Sequence, residues 1–253
     1  MPVLAAILVT AVLGAAAFAQ SLGSVEVAGR VKIGTANERL KRKRFYLFRG
    51  GLAENRQLVD KLKTSAVPPS RDCFYCSLGA SAEYIAWLKS EDCESPFCRS
   101  IGADDVAKVP EFKSAYQKGL EQFRNKPDLA RNWLTVNLPA PLRNGFYLQR
   151  KSVVNSLLKG ATPLQTSMTD SVSVVAPFID IPLAASTAEM FLVTNVVPFE
   201  LGGKTYLWVC EVKVDDKKRA KLSLNLDKAN KPAGKCEVVV RDVAPCAGNC
   251  GTK

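Results

Sequence analysis

The chain contains no histidine, and that absence excludes more chemistry than any other feature of its composition. Histidine is the commonest general base and the commonest metal ligand near neutral pH. Without it, Ser-His-Asp triads, Cys-His pairs and His-based zinc sites are ruled out. An enzyme built from this chain would have only carboxylates, Lys, Ser or Cys to work with. Internal repeats and low-complexity tracts are also missing. Beyond the first nineteen residues no apolar run is long enough to cross a bilayer. No two Asp or Glu residues have a placement that spacing can argue, so a two-carboxylate glycosidase finds no support. No catalytic residue, metal ligand or cofactor site is therefore assigned from the sequence.

What is present bounds the fold. A length of 253 residues with 47% apolar side chains allows one large or two small domains with a real core. The net charge of +11 suits a mutually repelling surface or an anionic partner. The first nineteen residues, MPVLAAILVTAVLGAAAFA, read as a secretory signal peptide. Their apolar core from Val3 to Leu13 is followed by Ala17-Phe18-Ala19, which places cleavage before Gln20. A cationic start is missing, and the competing reading is an uncleaved anchor, for which the run is short. No Cys follows the cleavage site to carry a lipid. The expected location is secreted or periplasmic, with no membrane span after cleavage. Eight cysteines, an even number, suit such an oxidising compartment.

The stretch Phe191 to Val214 fixes the expected architecture. Two runs rich in β-branched and aromatic residues meet at Gly202-Gly203, whose φ > 0 conformations suit a two-residue hairpin turn. Phe199 should then face Tyr206, Val197 face Trp208, and Asn195 face Cys210. Tyr206, Trp208, Cys210, Val212 and Val214 would share one buried face. Further strands are expected at Val25–Ile33, Phe45–Arg49, Gly145–Gln149, Ser171–Leu183, Ala220–Leu226 and Cys236–Val240. Pro177 and Pro182 confine theirs to an edge or a bend. Turns are expected at 34–38, 184–188, 215–218 and 228–234. The segment Val153–Lys159 reads equally as helix or strand.

Between these strand regions the period becomes helical. Leu52, Leu58, Val59 and Leu62 mark one helix, and Ser81–Ser90 a second. Phe112, Ala115, Tyr116, Gly119, Leu120 and Phe123 form the strongest apolar face. Leu129, Trp133 and Val136 suggest one more amphipathic helix packed on the core. Asp104-Asp105 reads as a cap or first-turn pair.

Four cysteines flank the second helix: Cys73-Phe-Tyr-Cys76 and Cys93-Glu-Ser-Pro-Phe-Cys98. A zinc ribbon wants two CxxC pairs, but the second spacing differs and export argues against it. A thioredoxin-like pair wants CxxC at a helix N-terminus, which Cys73 and Cys76 satisfy without the preceding buried strand. The third reading, preferred here, is two staples across a helical hairpin, Cys73–Cys98 and Cys76–Cys93. The remaining four allow three connectivities, with Cys210–Cys236 and Cys246–Cys250 favoured.

The run Arg39-Leu-Lys41-Arg42-Lys43-Arg44 could neutralise an acidic polymer, joined by Lys217, Lys218 and Arg219. The competing reading is a charged lead-in that discourages edge pairing. No aromatic platform interleaves it.

Strands at both ends with helices between suggest an α+β chain. Its frame would be a mainly antiparallel β-sandwich formed by 20–50 and 142–253, with a disulfide-stapled helical insertion at 51–141. Val27-Ala-Gly29-Arg-Val31, Phe45-Tyr-Leu47, and Thr169-Asp170 leading to Phe178-Ile-Asp180-Ile-Pro182 resemble the prealbumin-like, carboxypeptidase regulatory-like or Cna-B-type sandwiches. In that pattern a T-D-x-x-G turn precedes a strand ending near a Pro; Ser173 stands here at the glycine position. The resemblance implies an accessory or structural extracellular module. The expected function is an exported, non-enzymatic module presenting a surface to a protein or glycan partner. Its alternatives are redox work by Cys73 and Cys76, or electrostatic binding of an anionic polymer.

Overall fold

The structure is a computed structural model that describes residues 21–183, 188–215, 218–226 and 236–246. The signal segment, the turn at 228–234, Cys250, Lys217 and most of the turn at 184–188 lie outside the described residues.

The first strand, β1 (Ser21–Ala28), is followed by β2 (Arg30–Ile33), β3 (Ala36–Arg39) and β4 (Arg44–Arg49). Helices α1 (Arg56–Thr64), α2 (Arg71–Ser77), α3 (Ala82–Ser90), α4 (Ala103–Lys108), α5 (Pro110–Gln122), α6 (Pro127–Asn132) and α7 (Leu134–Asn137) come next. A π turn at Pro141–Gly145 runs into α8 (Phe146–Leu157). The chain then returns to β5 (Gln165–Met168), β6 (Val175–Leu183), β7 (Glu189–Thr194), β8 (Phe199–Leu201), β9 (Lys204–Val214), β10 (Arg219–Ser223) and β11 (Cys236–Asp242).

The fold is mixed α+β. A six-stranded antiparallel sheet runs β11-β9-β7-β4-β5, with β8 paired to β9, and a three-stranded sheet runs β10-β1-β6. In the latter, β1 pairs antiparallel with β6 and parallel with β10. Both sheets turn period-two faces into one apolar cluster, in which Val25, Val27, Phe178, Ile181 and Leu222 meet Phe45, Phe191, Val193, Trp208 and Val212. Trp208 joins the layers by donating its indole N–H to the Leu224 carbonyl at 3.1 Å. The opposite face of the six-stranded sheet, Tyr46, Phe48, Leu192, Leu207 and Val209, is covered by Leu58, Val59 and Leu62 of α1, with Val153, Val154 and Leu157 of α8 alongside. A third cluster, centred on Tyr75, Tyr84, Trp87 and Phe112, holds the helices together.

The hairpin forms at the expected turn: Phe199 pairs with Tyr206, and Gly202 and Gly203 have φ of 55° and 76°. All five residues of the expected β9 face are buried in the inter-sheet cluster. The upstream register differs from expectation. Val193, not Asn195, sits opposite Cys210, and Val197 has no ladder partner. Pro198 has no N–H for the ladder, and Val196 takes a φ of 57°, so the strand bulges between β7 and β8. The buried Asn195 amide fills the gap, accepting from the Trp208 N–H at 2.8 Å and donating to the Tyr206 carbonyl at 2.9 Å.

Other differences have equally local causes. The expected strand at Val25–Ile33 is two, because the chain breaks at Gly29. A Cβ there would come within 2.7 Å of the Val174 carbonyl, which accepts the Gly29 N–H at 2.7 Å. The expected turn at 34–38 is shorter, Gly34-Thr35 alone, and β3 begins at Ala36 and hairpins onto β2. The aromatic segment Gly145–Gln149 is helical, so helices continue from Arg56 to Leu157 and do not stop at 141. On α6 and α7, Ala130 and Leu134 are the buried residues, whereas Leu129, Trp133 and Val136 are 39%, 48% and 46% exposed. The expected apolar face of that segment is thus its outer one. At the T-D-x-x-G-like turn, Asp170 accepts from the Val172 and Ser173 N–H groups at 2.6 Å each. The left-handed residue is Val174, φ 54°, one position beyond Ser173.

The cysteines pair differently from the expected staples. Cys73 bonds Cys246 and Cys93 bonds Cys98; Cys210 bonds Cys236 as expected, across directly paired strands. Cys76 is disulfide-bonded as well. The turn at Pro96–Cys98 folds the CxxxxC loop back on itself, bringing the Cα atoms of Cys93 and Cys98 to 5.7 Å. This consumes the two thiols that the expected staples would have joined to Cys73 and Cys76. No helix among the described residues is long and apolar enough to cross a membrane.

Candidate ligand-binding cleft

Two hollows open along the seam where the six-stranded sheet meets the helices. The larger, about 660 Å³, lies between the β8–β9 turn, the loop before α2 and the end of α3. The smaller, about 530 Å³, lies between α8 and the β4–β5 edge. Glu94, Arg150 and Val197 line both. Arg150 donates to a Glu94 carboxylate oxygen at 2.6 Å, and the Glu94 carbonyl accepts the Tyr75 hydroxyl at 2.8 Å. This ion pair, fixed from beneath by a buried tyrosine, stands between the hollows.

The basic run enters this seam. Arg42 has φ 54°, which turns the chain so that successive side chains diverge instead of forming one stripe. Arg39 donates to the Val172 carbonyl at 2.5 Å. Lys41 lies 3.8 Å from the Glu91 carboxylate, and Arg42 donates to the Glu91 carbonyl at 2.7 Å. Lys43 is buried and meets Asp92 at 2.5 Å, with its ammonium 5.6 Å from the centre of the Phe199 ring. Arg44 is exposed and points into the smaller hollow. The structure thus sets Lys41, Arg42 and Lys43 against the loop that follows α3, and leaves Arg44 to the other side.

In the larger hollow charges alternate. Lys43 pairs with Asp92, Asp92 with Arg71 at 3.4 Å, Arg71 with Asp72 at 3.0 Å, and Asp72 with Lys89 at 3.5 Å. Burial lowers the Lys43 pKa, and the Asp92 charge partly restores it. Burial, reinforced by Asp72, raises the Glu200 carboxyl above its usual range, against the pull of Arg71. The paired carboxylates face cations, not an open reaction centre. Among the described residues, no three His, Cys, Asp or Glu side chains are grouped to hold a metal ion.

The Cys73-x-x-Cys76 pair lies on α2, where the Ser70 hydroxyl caps the helix by accepting the Cys73 N–H at 3.1 Å. Helix position therefore matches the redox reading, but bonding does not: Cys73 is joined to Cys246, and Cys76 is bonded elsewhere. The Cys73–Cys76 bond that a CxxC oxidoreductase cycles is not formed.

Sequence reasoning missed Tyr46, Glu94, Tyr147, Arg150 and Lys151 as site residues. A signal was available: Tyr147, Arg150, Lys151, Val154, Asn155 and Leu158 recur at i, i+3, i+4, i+7, i+8 and i+11, one face of a helix. It was hidden by reading Gly145–Gln149 as a strand. No protein family, curated protein or solved structure matches this chain.

Proposed function

We propose that the protein is an exported, non-enzymatic binding or structural module. In this reading its two sheets form a prealbumin-like β-sandwich, which carries disulfide-braced helices and presents the seam between them to a protein or glycan partner outside the cytoplasm. The observation that carries it is the bond from Cys73 on α2 to Cys246 beyond β11, with no free cysteine among the described residues. Bonds of this kind persist in oxidising compartments and brace secreted domains. The paired charges of the larger hollow support binding over catalysis, because its Asp72 and Asp92 carboxylates are held by cations.

The test uses protein recovered from the periplasm or medium. Denatured without reductant, it should show no titratable thiol, and the folded material should turn over nothing in an unbiased hydrolase and oxidoreductase screen. Titratable thiols, or turnover by the folded oxidised protein, would overturn the reading.

A further inference from the structure

The charges around the smaller hollow do not cancel. Arg42, Arg44, Arg150 and Lys151 line it with a single carboxylate, Glu94; four cations against one anion leave three positive charges in excess. Arg150 is committed to Glu94 and Arg42 to Glu91. Arg44 and Lys151 are in no ion pair with any described carboxylate. Gathering like charges in a partly enclosed space is unfavourable unless an anion joins them.

Two elements hold these cations in register. On α8, Arg150 and Lys151 share a face with Tyr147, Val154 and Leu158. Across the hollow, Arg44 pairs with Met168 in the β4–β5 ladder and lies two residues before Tyr46, which lines the hollow with it. The hollow therefore joins a basic end to an apolar side made by Val154, Leu158 and Ala161. Its volume of about 530 Å³ lies within the range of small-ligand pockets.

We propose that this hollow binds a small organic oxyanion, its carboxylate, phosphate or sulfate head held by Arg44, Arg150 and Lys151 and its apolar body lying on Val154 and Leu158. Guanidinium forks suit all three heads, since each presents coplanar oxygens to paired N–H donors. The site deepens the binding-module reading and rests on it only for the location in the sheet–helix seam.

The oxidised full chain is titrated calorimetrically with benzoate, phenyl phosphate and phenyl sulfate, with phenol as the neutral control. At least one anion should bind, the tightest naming the preferred head, with phenol at least about tenfold weaker. Binding should weaken as salt rises. The double variant Arg44→Gln, Lys151→Gln should lose about tenfold in affinity with an unchanged melting temperature, because neither residue is ion-paired. Lys151→Gln alone, on an exposed helix position, should lose about threefold and covers the event that the double variant misfolds. No binding of any anion at millimolar concentration, equal binding of phenol, or unchanged affinity in a folded variant overturns the proposal. Absence of binding in thiol-free, catalytically silent protein removes this site and leaves the module reading standing. Turnover by protein that binds the anion does the reverse.

Discussion

Cys73 and Cys246 are separated by 173 residues in sequence and by 5.0 Å at their Cα atoms. The bond ties α2, in the helical layer, to the segment that leaves β11 at the edge of the six-stranded sheet. Such a link acts mainly on the unfolded chain, whose loop-closure entropy it removes, and the effect grows with the logarithm of the loop. Replacing both cysteines by Ala should cost up to about 5 kcal/mol, against about 2 kcal/mol for Cys93 and Cys98, whose sequence separation is 5. Urea unfolding of the two double variants measures the difference. Equal losses would show that the long bond is not a global brace.

The pairing of Lys43 with Asp92 gives a second test. Asp92→Asn leaves a buried ammonium with a weaker partner and should destabilise by about 2 kcal/mol; a wholly buried pair would lose about 3–5, but Asp92 is partly exposed. Lys43→Met removes the buried charge and should cost under about 1 kcal/mol, because Arg71 still pairs with Asp92. Burial holds the Lys43 pKa below 10.5 in the folded protein. The folded state therefore disfavours the charged form, and that penalty lifts as pH rises from the lowered value towards 10.5. Once Lys43 is neutral in both proteins the pair no longer separates them. The gap between wild type and Asp92→Asn should narrow from pH 7 to pH 10, as read by denaturant midpoints.

Tyr75 and Tyr84 predict alkaline instability. Both are fully buried; Tyr84 donates to the Leu142 carbonyl at 2.7 Å and Tyr75 to the Glu94 carbonyl. Burial raises both hydroxyls above their ordinary value of 10.0. The folded state thus keeps protons that the unfolded chain releases near pH 10, and the stability they contribute is intact below pH 10 and declines above it. Tyr84→Phe should lose about 1 kcal/mol at pH 7 for the hydrogen bond. It should also flatten the decline above pH 10 by the share of one proton. An unchanged alkaline slope in Tyr84→Phe would remove Tyr84 from this account.

Features of local period were legible in the sequence, and features set by distant contacts were not. Gly202-Gly203 with alternating flanks specified a hairpin because turn type and side-chain period are local. Cys210–Cys236 was readable because both lie on strands that could pair. Cys73–Cys246 was not, since nothing in the spacing brings α2 to the far end of the chain. Phe146, Tyr147 and Leu148 carry strand-like composition, yet they continue a π turn beginning at Pro141 and bury Phe146 among helices; tertiary packing overrode propensity. The candidate cleft divides in the same way. Arg42 and Arg44 were visible in the basic run, whereas Arg150 and Lys151 became neighbours of that run only through the docking of α8. Glu94, the partner of Arg150, is placed by the Cys93–Cys98 loop, which the expected staples would have pulled elsewhere.

The register step between β7 and β8 yields the sharpest single-residue prediction. Asn195 is buried and makes three hydrogen bonds: its amide donates to the Val197 and Tyr206 carbonyls, and its oxygen accepts the Trp208 N–H. It stands in for a strand residue at the one place where the ladder cannot continue. Asn195→Ala would take the partner from the buried Trp208 N–H and from the Val197 and Tyr206 carbonyls at once, and should cost about 3 kcal/mol. Pro198→Ala restores an N–H but removes no partner, and should change stability by less than about 1 kcal/mol if the Asn195 bonds, not the proline, maintain the step. Amide exchange separates the two accounts: the Trp208 N–H should exchange much faster in Asn195→Ala and at the wild-type rate in Pro198→Ala. Full protection of the Trp208 amide in Asn195→Ala would mean that the strand had re-registered to bring Asn195's position opposite Cys210, the pairing that simple alternation predicts.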